Sequence, residues 1–512
     1  MSRAAPPPTT LLVARGIRTL DPSGGAARRA LLLVADRIAW VGPSARAAPP
    51  HDRTVDVTGG WICPSFVDAH VHGTATGLSL TGLDLAGATS LAACLDRLRR
   101  HKSDAGADVV VGFSWDDHAW PEGRAPTAAD IAEAVPHRTV LLTRVDGHSC
   151  VVDPGTLRRL PLAGLPGVER DERGEPTGLL REQASEAARR RVLARLPRAQ
   201  LDAARLATCG RAAALGVGSL HEMGHPGLSG LDDARAWAVG QWPVEVHTWW
   251  AQIDPARWEG LRPGGDLFLD GSIGSHTAAV FDGYADGGGA GVLFHDDEAV
   301  AAFFTQASRR GVGAGVHAIG DRAVDQAVRA LEAAAHRVGR TTVRACRHRV
   351  EHVEMVSPDL VARLADLGVV ASVQPAFDAA WGGDDGLYAR RFGPGAAGRI
   401  NPLAWFAAAG VPMAFGSDAP VTALDPWGAV WAAEHHRGGY GLGREQALAA
   451  HTLGGRYAAG QDEVGALRAG ARADFAVWSD DPLAVEDPRE LRCLATVVAG
   501  RVAHGDLRLG GP

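Results

Sequence analysis

The chemistry in this chain begins with two histidines spaced i, i+2, His70 and His72, in Phe66-Val67-Asp68-Ala69-His70-Val71-His72-Gly73. Side chains alternate along a strand, so both project from one face and can share a single metal ion. A lone H-x-H is a weak signal, but this one opens a series. His317 follows in Val316-His317-Ala318-Ile319-Gly320-Asp321, then His348 and His352 in His348-Arg349-Val350-Glu351-His352, then Asp418 in Gly416-Ser417-Asp418-Ala419-Pro420. His348 and His352 share a strand face by period two, which leaves open which of them is a ligand. Neutral imidazoles with a carboxylate suit zinc or a similar divalent ion that keeps one position for water. A bound ion lowers the pKa of that water to about 7, and a neighbouring carboxylate can take the proton. Asp418 is the candidate base and a candidate ligand. The series reads as a metal-dependent hydrolase.

These residues need a scaffold that collects strand ends. Eight apolar runs alternate with helical stretches: Ser65–His72, Gly216–Met223, Pro243–Trp250, Gly265–Ser272, Val312–Ile319, Cys346–His352, Val369–Pro375 and Pro412–Asp418. That alternation predicts an α/β fold, a TIM-type (β/α)8 barrel, in which catalytic groups sit at the C-terminal strand ends. The barrel is assigned to residues 61–460, with an inserted subdomain over about 75–210 that includes strands Val109–Trp115 and Thr139–Val145. Residues 1–60 and 461–512 hold short strands too few to stand alone, read as antiparallel and as a composite β-sandwich completed from both termini.

Composition narrows the function. A hydrophobic fraction of 46% supports a large core, and a net charge of −7 without a basic run argues against nucleic acid or an anionic membrane as partner. No signal peptide or bilayer-spanning run is evident, and six scattered cysteines without CxxC fit reduced thiols, so a cytoplasmic location is expected. The expected partner is a small-molecule substrate.

With these residues in hand, the chain resembles the amidohydrolase superfamily, and within it the YtcJ-like amidohydrolases (amidohydrolase family 3). The likeness runs from Pro64-Ser65-Phe66-Val67-Asp68-Ala69-His70-Val71-His72 through Arg144-Val145-Asp146-Gly147-His148-Ser149 and Asp270-Gly271-Ser272-Ile273-Gly274-Ser275. It continues in His317-Ala318-Ile319-Gly320-Asp321-Arg322-Ala323 and His348-Arg349-Val350-Glu351-His352, and ends at Gly416-Ser417-Asp418-Ala419-Pro420-Val421 and Ala473-Asp474-Phe475. The resemblance implies a metal-bearing barrel that hydrolyses a non-peptide carbon–nitrogen bond, often an amide. By position, it makes His70, His72, His317 and His352 metal ligands and Asp418 the catalytic base. A homodimer is also what the family suggests.

One departure stands out. Two-metal relatives bridge their ions with a carboxylated lysine on strand four, expected four residues before Asp270-Gly271-Ser272. Asp266 occupies that position, and the chain's one lysine, Lys102, lies far upstream. An aspartate is shorter by about four bonds of ~1.5 Å, so it is expected to fall several Å short of such a bridge. A single ion is therefore favoured over two, the alternative being a second ion held by Asp266 or Asp270. His148 and Arg322 are candidates to bind a substrate carbonyl or carboxylate, Ser272 to line the pocket, and Trp115, Trp120 and Trp381 to wall it. A metal-assisted isomerase or lyase, or a non-catalytic metal- or ligand-binding protein on the same barrel, are the competing readings.

Overall fold

The computed structural model describes residues 8–22, 27–101, 109–118, 120–145, 147 and 149–509. At its centre are two four-stranded parallel sheets. One holds Phe66–Val71, Val217–Gly224, Glu245–Trp250 and Arg262–Pro263; the other holds Gly315–Ala318, Arg349–His352, Val370–Val373 and Met413–Phe415. Two isolated parallel bridges, Val71 to Ala419 and Phe268 to His317, join the sheets at both ends. Seven of these strands lie within a few residues of the runs predicted above. The fourth does not: Gly265–Ser272 forms no regular strand, and its pairing is reduced to Arg262–Pro263 and the Phe268 bridge.

Most of these strands are buried along their whole length, as continuous apolar runs covered by helices must be. The helices bury one stripe each. In Asp297–Arg309 the residues Val300, Phe303, Phe304 and Ala307 recur at i, i+3, i+4, i+7 and are buried. Asp296 caps that helix by accepting from Ala299 N–H, and Ser357 does the same for Pro358–Leu367 through Leu360 N–H.

Between the first two parallel strands, a separate six-stranded sheet runs in the order Val168–Arg170, Pro176–Arg181, Ser149–Val152, Thr139–Arg144, Val109–Trp115, Leu83–Asp84. It has cores of its own, and Trp115 and Trp120 belong to one of them. Their indole N–H groups donate to Leu142 O and Ala88 O, so they pack the insertion and do not wall a pocket.

The chain ends meet in one seven-stranded sheet. Its middle strand, Arg53–Pro64, pairs parallel with Thr9–Ile17 and antiparallel with Phe475–Trp478. This long strand escapes the sequence reading because its first half alternates with exposed residues and Gly59-Gly60 interrupts it. The pairing of the N-terminal strands is thus mixed, where antiparallel pairing alone is expected. The stretch Ala495–His504 forms a hairpin, Cys493–Val498 and Arg501–Gly505, turning at Ala499 and Gly500 with φ of +48° and +72°. Among the described residues no helix is long and apolar enough to cross a membrane.

Candidate metal centre

The strand ends bring four histidines and two aspartates together. His70 Nε2 and His72 Nε2 lie 3.4 and 3.2 Å from Asp418 Oδ1, and those three residues form one group able to hold an ion. Close approach of the last strand makes this contact. A Cβ on Gly416 would sit 2.4 Å from His70 N, so only glycine lets the two chains meet there. Asp418 itself adopts a left-handed φ of +54° as the strand ends, which turns its carboxylate inward.

His70, Asp266 and His352 form a second group that shares His70 with the first. Asp266 is the surprise. Its Oδ1 lies 3.1 Å from His317 Nδ1, 3.5 Å from His352 Nε2 and 3.9 Å from His70 Nε2, and its Oδ2 lies 3.5 Å from His72 Nε2. The expected shortfall in reach is therefore wrong, because the main chain supplies the missing distance. Gly264 and Gly265 take φ of +77° and +75° where a regular strand would continue. Gly265 presses against Gly315 so closely that a Cβ on Gly315 would lie 2.8 Å from Gly265 Cα. The chain steps inward there and carries Asp266 with it.

Each histidine is oriented by an acceptor outside the cluster. His70 Nδ1 lies 2.9 Å from Glu351 Oε2, His72 Nδ1 3.2 Å from Met223 O, His352 Nδ1 2.9 Å from Gln374 Oε1, and His317 Nε2 3.3 Å from Gly271 O. With those nitrogens donating, the other nitrogen of every ring turns its lone pair towards Asp266 and Asp418. Two atoms facing the centre, His70 Nε2 and Asp418 Oδ1, are buried without a hydrogen-bond partner. Electrostatics agree. Burial pushes the His72 imidazolium down, but Asp418, Asp266 and Glu222 outweigh it and raise its pKa to about 9. Burial likewise opposes His352, yet Asp266, Asp418 and Glu354 raise it to about 10. Asp266 is held well below the carboxylate range by His317, His352 and His70 against its burial, and His70, His72 and His352 lower Asp418 against its own. A buried pocket of this kind favours positive charge, and a divalent cation fits it.

The remaining predicted residues fare unevenly. His348 lies outside the cluster. Its Nε2 is bonded to Ser308 Oγ at 2.9 Å and its Nδ1 accepts from Ala314 N–H at 3.1 Å, so neither nitrogen is available to an ion. Burial lowers its pKa to about 4. Parity explains the difference: Arg349 and Glu351, not His348, point towards His70, and a φ of +69° at His352 turns that side chain back into the centre. Asp270 accepts from Ile319, Gly320 and Ala279 N–H, which ties the loop after strand four to the helix Asp321–Val338. Its Oδ1 lies 3.6 Å from His317 Nε2, while burial raises its pKa to about 6. Ser272 is turned into its own loop, its Oγ 2.9 Å from Ser275 Oγ. Arg322 lies in the first turn of the helix Asp321–Val338 and keeps its Nε buried without a partner. Trp381 packs at a tilt against Phe377 and edge-on against Tyr388. His148 lies outside the described residues. The orienting groups Glu351, Gln374, Met223 O and Gly271 O have no signature in sequence spacing, since two are main-chain carbonyls.

Comparison with known proteins places this geometry in a family. The family model described as "Amidohydrolase family" matches residues 53–504. The YtcJ protein of Bacillus subtilis (strain 168) is 27% identical over 500 residues, covering 89% of this chain and 91% of that protein. N-substituted formamide deformylase of Arthrobacter pascens is 25% identical over 548 residues, covering 96% and 97%. Among solved structures, an uncharacterized metal-dependent hydrolase from Pyrococcus furiosus superposes with a TM-score of 0.76 at 27% identity, covering 93% of this chain and 100% of that one. The chain belongs to the amidohydrolase family, as a metal-dependent hydrolase of carbon–nitrogen bonds.

Proposed function

We propose that His70, His72 and Asp418 hold a single divalent ion, zinc by its donor set, and that the centre hydrolyses an amide-like carbon–nitrogen bond of a small molecule. The observation that carries this is the convergence of four histidine lone pairs, each set by an outer acceptor, on a centre where His70 Nε2 and Asp418 Oδ1 lack partners. One ion is preferred because both candidate groups depend on His70 Nε2, and one imidazole nitrogen serves one ion. When bound, the ion supplies a water of lowered pKa and polarises the scissile carbonyl. The Asp418 carboxylate accepts the proton of the attacking water and delivers it to the leaving nitrogen. Asp266 Oδ1, 3.1 Å from His317 Nδ1 and 3.5 Å from His352 Nε2, stands beside that ion position. Arg322, with its unpartnered Nε, and His148 are assigned to the far end of the substrate.

The scaffold of this reading is a closed (β/α)8 barrel over 61–460. The two bridges between the parallel sheets support closure. The six-stranded sheet is the inserted subdomain, and the chain ends, 1–60 and 461–512, form the composite terminal unit.

Elemental analysis of zinc-loaded protein tests the centre, together with amine release from a panel of amides. The expected result is one ion per chain, kept in Asp266→Ala and lost in His70→Ala, with amine release abolished in Asp418→Asn. Two ions in the wild type falling to one in Asp266→Ala would overturn the single-ion reading. No ion after loading would remove the enzyme reading in favour of a non-catalytic binding protein. An isomerised or eliminated product without amine release would move the chain to lyase chemistry.

A further inference from the structure

Granting the metal centre above, we propose that Glu351 is a positioning residue: locked by Arg349, its carboxylate makes His70 the anchor ligand of the centre. His70 is the histidine common to both ligand groups. Among the described residues that hydrogen-bond the outer nitrogens of the four histidines, the Met223 and Gly271 carbonyls and the Gln374 amide are neutral and Glu351 alone is a carboxylate, the Asp270 carboxylate standing off at 3.6 Å from His317 Nε2. A carboxylate that accepts the Nδ1–H draws that proton towards itself, fixes the ring plane and raises the donor strength of Nε2 more than a carbonyl can.

The pair behind His70 has no freedom to relax. Arg349 is 1% exposed and Glu351 0%. Arg349 Nε donates to Glu351 Oε1, and its Nη2 to Glu351 Oε2 at 2.8 Å. Nη2 also donates to Ser372 Oγ at 2.6 Å and to Ala69 O at 2.5 Å, and Nη1 to His221 Nδ1 at 3.0 Å. The guanidinium lies 4.8 Å above the Trp249 ring. The bond to Ala69 O matters most, because it fixes the main chain one residue before His70 while Glu351 fixes the His70 ring. Backbone and side chain of one ligand therefore hang on one ion pair. Packing alone does not require charges here, since apolar side chains of similar volume would fill the same space without the desolvation penalty of a buried pair.

The test measures zinc affinity by chelator competition in the full-length wild type, Glu351→Gln, and the double variant Arg349→Met/Glu351→Gln. Gln preserves shape and a hydrogen-bond acceptor but not the charge. The double variant removes both charges and so guards against misfolding caused by an unpaired buried arginine. Zinc binding weakened about 10- to 100-fold in both variants is expected, with an upfield shift of the His70 Nδ1–H resonance in the zinc-loaded protein. His348→Ala, an equally buried histidine of the same segment, should leave zinc affinity unchanged. Wild-type affinity and an unmoved resonance in both Glu351 variants would overturn the role while leaving the metal centre standing. A wild type that binds no zinc would overturn both.

Discussion

Glu245→Gln should cost about 3 kcal/mol of stability at neutral pH and nothing near pH 2. Glu245 opens the strand Glu245–Trp250 at the end opposite the metal centre. Its Oε2 pairs with Arg456 Nη1 and with Arg472 Nη2 at 2.5 Å, and its Oε1 accepts from Gln461 Nε2 at 2.6 Å. Both arginines continue to Asp474, which precedes the terminal-sheet strand Phe475–Trp478, at 3.2 and 2.5 Å. The cluster is thus the ionic joint between the parallel body and the terminal sheet. Burial pushes the Glu245 carboxyl up, but Arg472 and Arg456 outweigh it and bring its pKa from 4.5 down to about 2. A depression of roughly 2.5 units corresponds to about 3 kcal/mol, in line with the ~3–5 kcal/mol cost of removing one partner of a buried pair. Because the folded pKa lies below the unfolded one, this stabilisation is complete above about pH 5 and disappears as pH falls through about 2. Urea midpoints followed by tryptophan fluorescence at pH 7, 5 and 3 measure it. The gap between wild type and variant should hold at about 3 kcal/mol at pH 7 and 5 and fall to about half at pH 3. A gap independent of pH, or none at pH 7, would refute the reasoning.

Gly265→Ala places a Cβ 2.7 Å from Met223 Sδ and Trp249 Cβ at φ +75°, so it should lose about 1–3 kcal/mol, read by thermal melting. His348→Ala should lose about 1–3 kcal/mol through the unpaired Ala314 N–H and the space left by the ring, with metal content unchanged by elemental analysis. Stripping the ion should lower the melting temperature, since an ion at a hundredfold excess over its Kd contributes about 2.7 kcal/mol; calorimetry with and without chelator measures it.

Much of the centre is legible in the sequence because strand parity and chain order carry it. His70 and His72 obey period two, and the helix Asp321–Val338 announces itself by an apolar stripe of Ala323, Val324, Ala327, Val328 and Leu331. What is not legible departs from the regular pattern. The fourth strand dissolves at Gly264 and Gly265, whose left-handed backbone decides how far Asp266 reaches. Bond counting assumes a straight strand and so gives the wrong sign. Parity also fails at His352, where a positive φ turns the side chain towards Asp266 although Glu351, one residue earlier, already faces His70 from behind. The strand Arg53–Pro64 is hidden for another reason, as its partners lie at opposite ends of the chain and Gly59-Gly60 interrupts its pattern.

Asp266 also alters what the centre requires from its surroundings. A lysine becomes a metal-bridging ligand only after its amine takes up carbon dioxide, so such a centre depends on dissolved bicarbonate and can lose a ligand when the gas is scarce. Aspartate is translated with its carboxylate in place. The inward step at Gly264 and Gly265 delivers that carboxylate to all four histidines as the chain folds. On the reading proposed above, a centre built with Asp266 in place of a lysine needs no carbon dioxide to complete its carboxylates.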